Sequence, residues 1–283
     1  MKKRKENIFA IGAMGGSGTR VVAEIFMKLG IFMGDELNEA NDNLFFTRLF
    51  KNPAWYNKAT VSDFEKRFSI FRKFMSGERL NLSEIFEIRL AAETNPTFST
   101  DESYSLNLMN LLHTSRNRKT ERWGWKEPNT QIYIDRIAFF FPELKYVHVI
   151  RNGLDMAYSG NRQQLMNWGY LFKLVPLDNS DENEITKLQL EYWIRSNTRS
   201  IKLCEELMPQ RFYLLNYDEL CSNPALEVIR LLGFIGYQPN DELMRQLIAI
   251  PQKSDTANKY KQKDISIFSD KQLNEVEQLG FRI

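Results

Sequence analysis

The chain is poor in the residues that most often carry redox, metal and acid–base chemistry. Its 283 residues include only two cysteines and two histidines. Cys204 and Cys221 form neither a C-x-x-C pair nor a metal-ligand spacing, which fits a reduced, cytoplasmic protein. No metal site is expected. Net charge is scarce too. With 38 Lys and Arg against 36 Asp and Glu the balance is +2, too little to attract nucleic acid or an anionic membrane. Any anion affinity must therefore be local. Long apolar runs are also missing, and stretches such as 137–141 fall far short of the roughly 20 residues of a membrane span. Met1-Lys2-Lys3-Arg4-Lys5 before Ile8-Phe9-Ala10-Ile11 has the charge order of a secretory leader. Its apolar part is too short, however, and runs straight into glycines. What remains is 43% apolar, enough for a substantial core, and the length suits one large α/β domain.

The richest stretch is Ile8-Phe9-Ala10-Ile11-Gly12-Ala13-Met14-Gly15-Gly16-Ser17-Gly18-Thr19-Arg20. Its apolar run reads as a buried strand, and Val21, Val22, Ile25, Phe26 and Leu29 beyond it recur at helical spacing. Strand, glycine turn and helix together surround a phosphate with backbone N–H groups and a helix N-terminus. Gly15, Gly16 and Gly18 allow close approach, while Ser17 and Thr19 add hydroxyls. A nucleoside-triphosphatase loop would read G-x-x-x-x-G-K-[ST]. Here Arg20 follows Thr19, and no lysine lies between Lys5 and Lys28. The turn suits a phosphate but not ATP with magnesium.

Gly30 and Gly34 then lead into an acidic, amide-rich segment over 35–43. From there the text turns helical and aromatic, with Phe64, Phe68, Phe71 and Phe74 near a 3.6 spacing, and predicts a helical insertion over about 45–120. Strand signals return at 122–126, 145–150 and 211–216, separated by helical runs over 130–141, 154–166 and 185–207. This alternation predicts a three-layer α/β fold, a mostly parallel sheet flanked by helices. Ligands of such sheets bind beyond the carboxyl ends of the strands. The glycine turn, Lys126 and Arg151 each fall at such an end.

Arg151-Asn152-Gly153-Leu154-Asp155 leaves the strand Val147-His148-Val149-Ile150, and Ser159 follows about two helical turns on. A guanidinium fork and a hydroxyl can grip one phosphate from two sides. Together with the glycine turn, this motif resembles the sulfotransferases that use 3′-phosphoadenosine-5′-phosphosulfate (PAPS) and have a P-loop-like fold. Two further elements fit. Trp125-Lys126-Glu127-Pro128 is similar to that family's Lys-x-Pro element. Asn216-Tyr217-Asp218-Glu219-Leu220 with Asn223-Pro224 resembles its Arg-Tyr-Glu-Asp-Leu segment, although Asn216 replaces the arginine. The likeness covers 8–35 and 120–235 and, loosely, the C-terminus, while about 50–120 carries no motif that can be named.

The resemblance implies a sulfuryl group moved from PAPS to a hydroxyl or amine of an acceptor, a glycan, glycolipid or small molecule. It assigns the 5′-phosphate to Gly15, Gly16, Ser17, Gly18, Thr19 and Arg20, and the 3′-phosphate to Arg151 and Ser159, with Lys259 closing over it from a basic loop. Lys126 would reach the reacting sulfonate. The base stays open. Pro128 occupies the place of the histidine that many members use, His148 lies in a core strand, and His113 lies in the insertion. An acidic base after the first helix leaves Asp35, Glu36, Glu39 and Asp42, with Asp42 and Glu36 as the choices. Two rivals remain: a small-molecule kinase, and a non-catalytic nucleotide-binding protein of the same fold.

Overall fold

The computed structural model describes residues 7–97, 120–177, 179–252 and 257–283. Four strands form one parallel sheet: β1 (Asn7–Ala13), β2 (Arg122–Lys126), β3 (Lys145–Ile150) and β4 (Phe212–Asn216). Their order is β2-β1-β3-β4, so the winding reverses between β1 and β3. That reversal opens a crevice at the carboxyl rim, where parallel α/β sheets bind ligands. The register pairs Ile11 with Lys126 on one side and with Val147 on the other.

Side chains of β1 alternate between two cores, as a sheet covered on both faces requires. Phe9, Ile11 and Ala13 face α1 (Thr19–Lys28), α11 (Pro224–Ile235) and α12 (Asp241–Ile248). Ile8 and Ala10 face the larger core, built with α6 (Ile134–Phe140), α7 (Gly153–Ala157), α8 (Gln163–Trp168), α9 (Glu182–Leu207) and α13 (Asp270–Gln278). The short α10 (Tyr217–Ser222) starts directly at the end of β4.

The described part of the insertion is four helices: α2 (Leu44–Phe50), α3 (Pro53–Lys58), α4 (Val61–Ser76) and α5 (Leu82–Glu93). They join the larger core. Phe64, Phe68, Phe71 and Phe74 are all buried, and Phe71 meets Trp125 edge-on at 5.1 Å. The expected aromatic stripe is therefore packing. Trp55 and Tyr56 are half-buried against the same cluster. His113 lies outside the described residues.

Two helical boundaries differ from expectation. The run over 130–141 opens as a 3-10 turn, Pro128–Tyr133, before α6. The run over 154–166 breaks into α7 and α8, because Ser159-Gly160-Asn161 favours turn over helix. Ser159 therefore stands in a loop after α7 rather than on a helix.

His148 is a core residue. Its Nε2–H donates to Asn197 Oδ1 (2.8 Å) and its Nδ1 accepts from the Tyr146 hydroxyl (3.0 Å), which fixes the neutral tautomer. Burial pushes its pKa from 6.5 down to about 4. The unfolded chain binds the extra proton between those values, so stability is lost as pH falls through that window. We predict that the stability difference between wild type and His148→Gln shrinks by about 2 kcal/mol from pH 6.5 to 5 in urea unfolding.

Candidate functional site

A cavity of about 310 Å³ opens at the carboxyl rim. The turn after β1, the end of β2, the end of β3 and the start of α10 all contribute to it. Gly15, Gly16, Gly18, Thr19 and Arg20 line one side, with Lys126 and Arg151 beside them. The three anion-binding features expected on one rim are thus brought together.

The glycine turn is shaped to lie close to its neighbours. Gly16 and Gly18 have φ of +96° and +89°, conformations that L side chains rarely adopt. A Cβ on Gly18 would come 2.1 Å from the Tyr217 ring. Behind the turn, Gly15 N–H donates to Gln164 Oε1 at 3.2 Å. The Ser17 hydroxyl is buried and has no hydrogen-bond partner among the described residues. An orphaned donor within such a turn is what an anion would satisfy. Arg20 is exposed at the first turn of α1.

Arg151 spans the reversal of winding. Its Nη1 donates to Gly16 O at 3.2 Å, and its guanidinium lies 5.5 Å from the Tyr217 ring centre. Ser159 does not line this cavity and instead accepts from Asn161 N–H at 3.2 Å, and it is Asn161 that enters the cavity. Lys259 is exposed, but its segment is docked nearby: Asp155 on α7 accepts from Asn258 N–H (2.7 Å) and Tyr260 N–H (3.1 Å). A second cavity of about 610 Å³ adjoins the first through Tyr217 and includes Asn152, Asp218, Ala257 and Asn258.

Lys126 is 1% exposed. Its ammonium donates to Asp42 Oδ1 at 2.5 Å and to Ala40 O at 2.7 Å. Two asparagines that sequence reasoning passed over hold Asp42 there. Asn38 takes the Asp42 N–H (2.8 Å) and donates to Asp42 Oδ2 (2.9 Å). Asn43 donates its backbone N–H to Lys126 O at 2.7 Å and caps α2 with its side chain. The repeated amides of 38–43 are the signal, since Asn and Asp build such loops by bonding their own backbone. Glu36 is drawn elsewhere, to the buried Arg48 at 2.9 Å, and does not line the cavity. Asp35 and Glu39 are exposed.

A profile of the Sulfotransferase family matches residues 10–241. This chain belongs to the sulfotransferase family. A solved structure agrees in fold. The sulfotransferase domain of the Synechococcus PCC 7002 olefin synthase aligns with a TM-score of 0.54 at 13% identity, over 100% of this chain and 98% of that one. The sulfotransferase domain of the curacin biosynthetic pathway aligns at 0.49 and 15% identity, over 98% of each chain. A sulfotransferase from Alicyclobacillus acidocaldarius gives 0.42 and 12%, over 97% and 95%. No curated protein matches by sequence. The protein is a sulfotransferase of P-loop-like α/β fold. Among the described residues, no helix is long and apolar enough to cross a membrane.

The loop of this sulfotransferase depends on a bare Cα at residue 18. We predict that Gly18→Ala, which forces both strain and a collision with Tyr217, costs about 1–3 kcal/mol in chemical denaturation.

Proposed function

We propose that this sulfotransferase takes PAPS as donor and transfers its sulfuryl group to a hydroxyl or amine of a polar acceptor. The observation that carries the reading is the division of cationic groups on the rim. The glycine turn holds no lysine, and the rim's buried lysine comes instead from the end of β2. A kinase of the P-loop type would place that charge in the loop, for the outer phosphates of ATP.

The donor, a substrate consumed in the reaction, supplies a sulfuryl group bonded through oxygen to a 5′-phosphate. Amides and hydroxyls of Gly15 to Thr19 would hold that phosphate, with Arg20 at the helix start. The orphaned Ser17 hydroxyl and the positive φ of Gly16 and Gly18 support the fit. Arg151 would take the 3′-phosphate. Ser159 and Lys259 join it in this reading, because Asp155 ties the segment of Lys259 to the helix between Arg151 and Ser159. Lys126 stabilises negative charge as it develops on the leaving phosphate, and Asp42 keeps its ammonium in place.

The polar lining of the cavity supports a hydrophilic acceptor. Lys51, Asn161 and Gln163 line it, and Lys51 Nζ donates to Gln163 Oε1 at 2.7 Å. A sugar or other polar hydroxyl compound suits that lining better than a flat aromatic one, which would need apolar walls.

Thermal unfolding with 3′,5′-adenosine bisphosphate tests the donor. At about a hundredfold its dissociation constant the ligand adds roughly 2.7 kcal/mol, so Tm should rise by about 5–10 °C without metal. A rise only with ATP and magnesium would return the kinase reading. Lys126→Ala should cut turnover of labelled donor by about a hundredfold, and unchanged turnover removes its assigned role. Arg151→Ala should raise the dissociation constant of the bisphosphate by about tenfold or more, read by calorimetry.

A further inference from the structure

The cavity contains two carboxylates, and they are held in different ways. Asp42 commits one oxygen to Lys126 and the other to Asn38. Glu127, the residue after Lys126, is 2% exposed and lines the same cavity. Its partner is a single amide residue: Oε2 accepts from Asn129 N–H at 2.6 Å and Oε1 from Asn129 Nδ2 at 2.8 Å. Each carboxylate oxygen can accept twice, so one position on each remains after these bonds. The backbone is anchored as well, because Glu127 N–H donates to Ile11 O at 3.2 Å and continues the β1–β2 ladder.

We infer that Glu127 is the general base of this sulfotransferase, taking the proton of the acceptor while Asp42 serves to hold Lys126. The inference rests on the sulfuryl-transfer reading above. Glu127 accepts the proton as the acceptor oxygen bonds to sulfur. The bond from sulfur to the bridging oxygen breaks, and its electron pair leaves on the phosphate beside Lys126. No other reactant is required. Base and charge stabiliser thus enter one cavity from consecutive residues of one strand end.

The electrostatic setting suits a base that works near neutrality. Burial, and after it the charge of Asp42, pushes the Glu127 carboxyl from 4.5 up to about 7. Lys51, the Asn129 amide and Lys126 pull in the opposite direction. Tyr133, buried on the 3-10 turn that Glu127 caps, feels the same carboxylate. As pH falls below about 7 the group is protonated and can no longer accept.

Carbon NMR of protein labelled at the glutamate carboxyl tests this directly. The resonance missing in Glu127→Gln should titrate near neutral pH. Removing Asp42 as Asp42→Asn should lower that midpoint, and Lys51→Met should raise it. Lys51→Met alone decides the sign if Asp42→Asn does not fold. Transfer to water, measured as inorganic sulfate released from sulfur-labelled PAPS, should fall about a hundredfold in Glu127→Gln and lose its acid limb. Affinity for 3′,5′-adenosine bisphosphate should stay within about twofold, marking a change in rate and not in donor binding. Glu127→Asp should keep the acid limb. A midpoint near 4.5, or an acid limb that survives in Glu127→Gln, would overturn the inference. So would a rate loss matched by weakened bisphosphate binding, which would make Glu127 a support for the loop. A wild type that binds no bisphosphate would instead bring down the donor reading on which the inference stands.

Discussion

A buried ammonium ion organises this molecule. Lys126 projects from the central sheet into a site where water cannot solvate it, and an unpaired charge there costs several kcal/mol. The chain between α1 and α2 supplies the answer. Ala40 offers a carbonyl and Asp42 a carboxylate, and Asn38 braces Asp42 from behind. The same segment is then fixed to β2 by the bond from Asn43 N–H to Lys126 O. Asn43 also reaches back to Met33 O and starts α2. Satisfying one lysine therefore decides where the insertion begins and which carboxylate reaches the cavity.

A buried amide network supports the opposite wall. Asn129 donates to Glu127 and accepts from Gln164 Nε2 at 3.0 Å and Trp168 Nε1 at 2.9 Å. Gln164 in turn receives the Gly15 N–H and the Gln131 side chain. Gln131 continues to Ser196 on α9. The three amides Asn129, Gln164 and Gln131 each use both donor and acceptor, the condition under which a buried polar network adds rigidity. The glycine turn and the end of β2 are thereby held in one frame, which a reaction depending on alignment requires.

Much of this was legible in the sequence, for identifiable reasons. β2 and β3 fall on the residues expected, because aromatic and β-branched residues cluster there between turns. The phenylalanines of α4 follow helical spacing, and their burial follows from it. Long-range pairing was not legible. Nothing in the text links Glu36 to Arg48, yet that ion pair takes Glu36 away from the site. Asp42 and Glu36 looked alike as loop carboxylates, and the positions of Lys126 and Arg48 separate them. Glu127 was hidden for a different reason. As the variable residue of a Lys-x-Pro element it drew no attention, although a carboxylate at the end of a buried strand is costly enough to be a signal.

Two buried titrating groups, one in the core and one in the cavity, act on stability with opposite signs. His148 is depressed, so its contribution is present above 6.5 and is lost as pH falls toward about 4. Glu127 is raised, so its contribution is present below 4.5 and is lost as pH rises toward about 7. Between 4.5 and 6.5 the folded state lacks one proton at His148 and gains one at Glu127 relative to the unfolded chain. The two slopes cancel there. A flat stability profile in that window is consequently compatible with strong strain at both sites. Whichever group is neutralised first exposes the slope of the other, so global unfolding can report on a group inside the site.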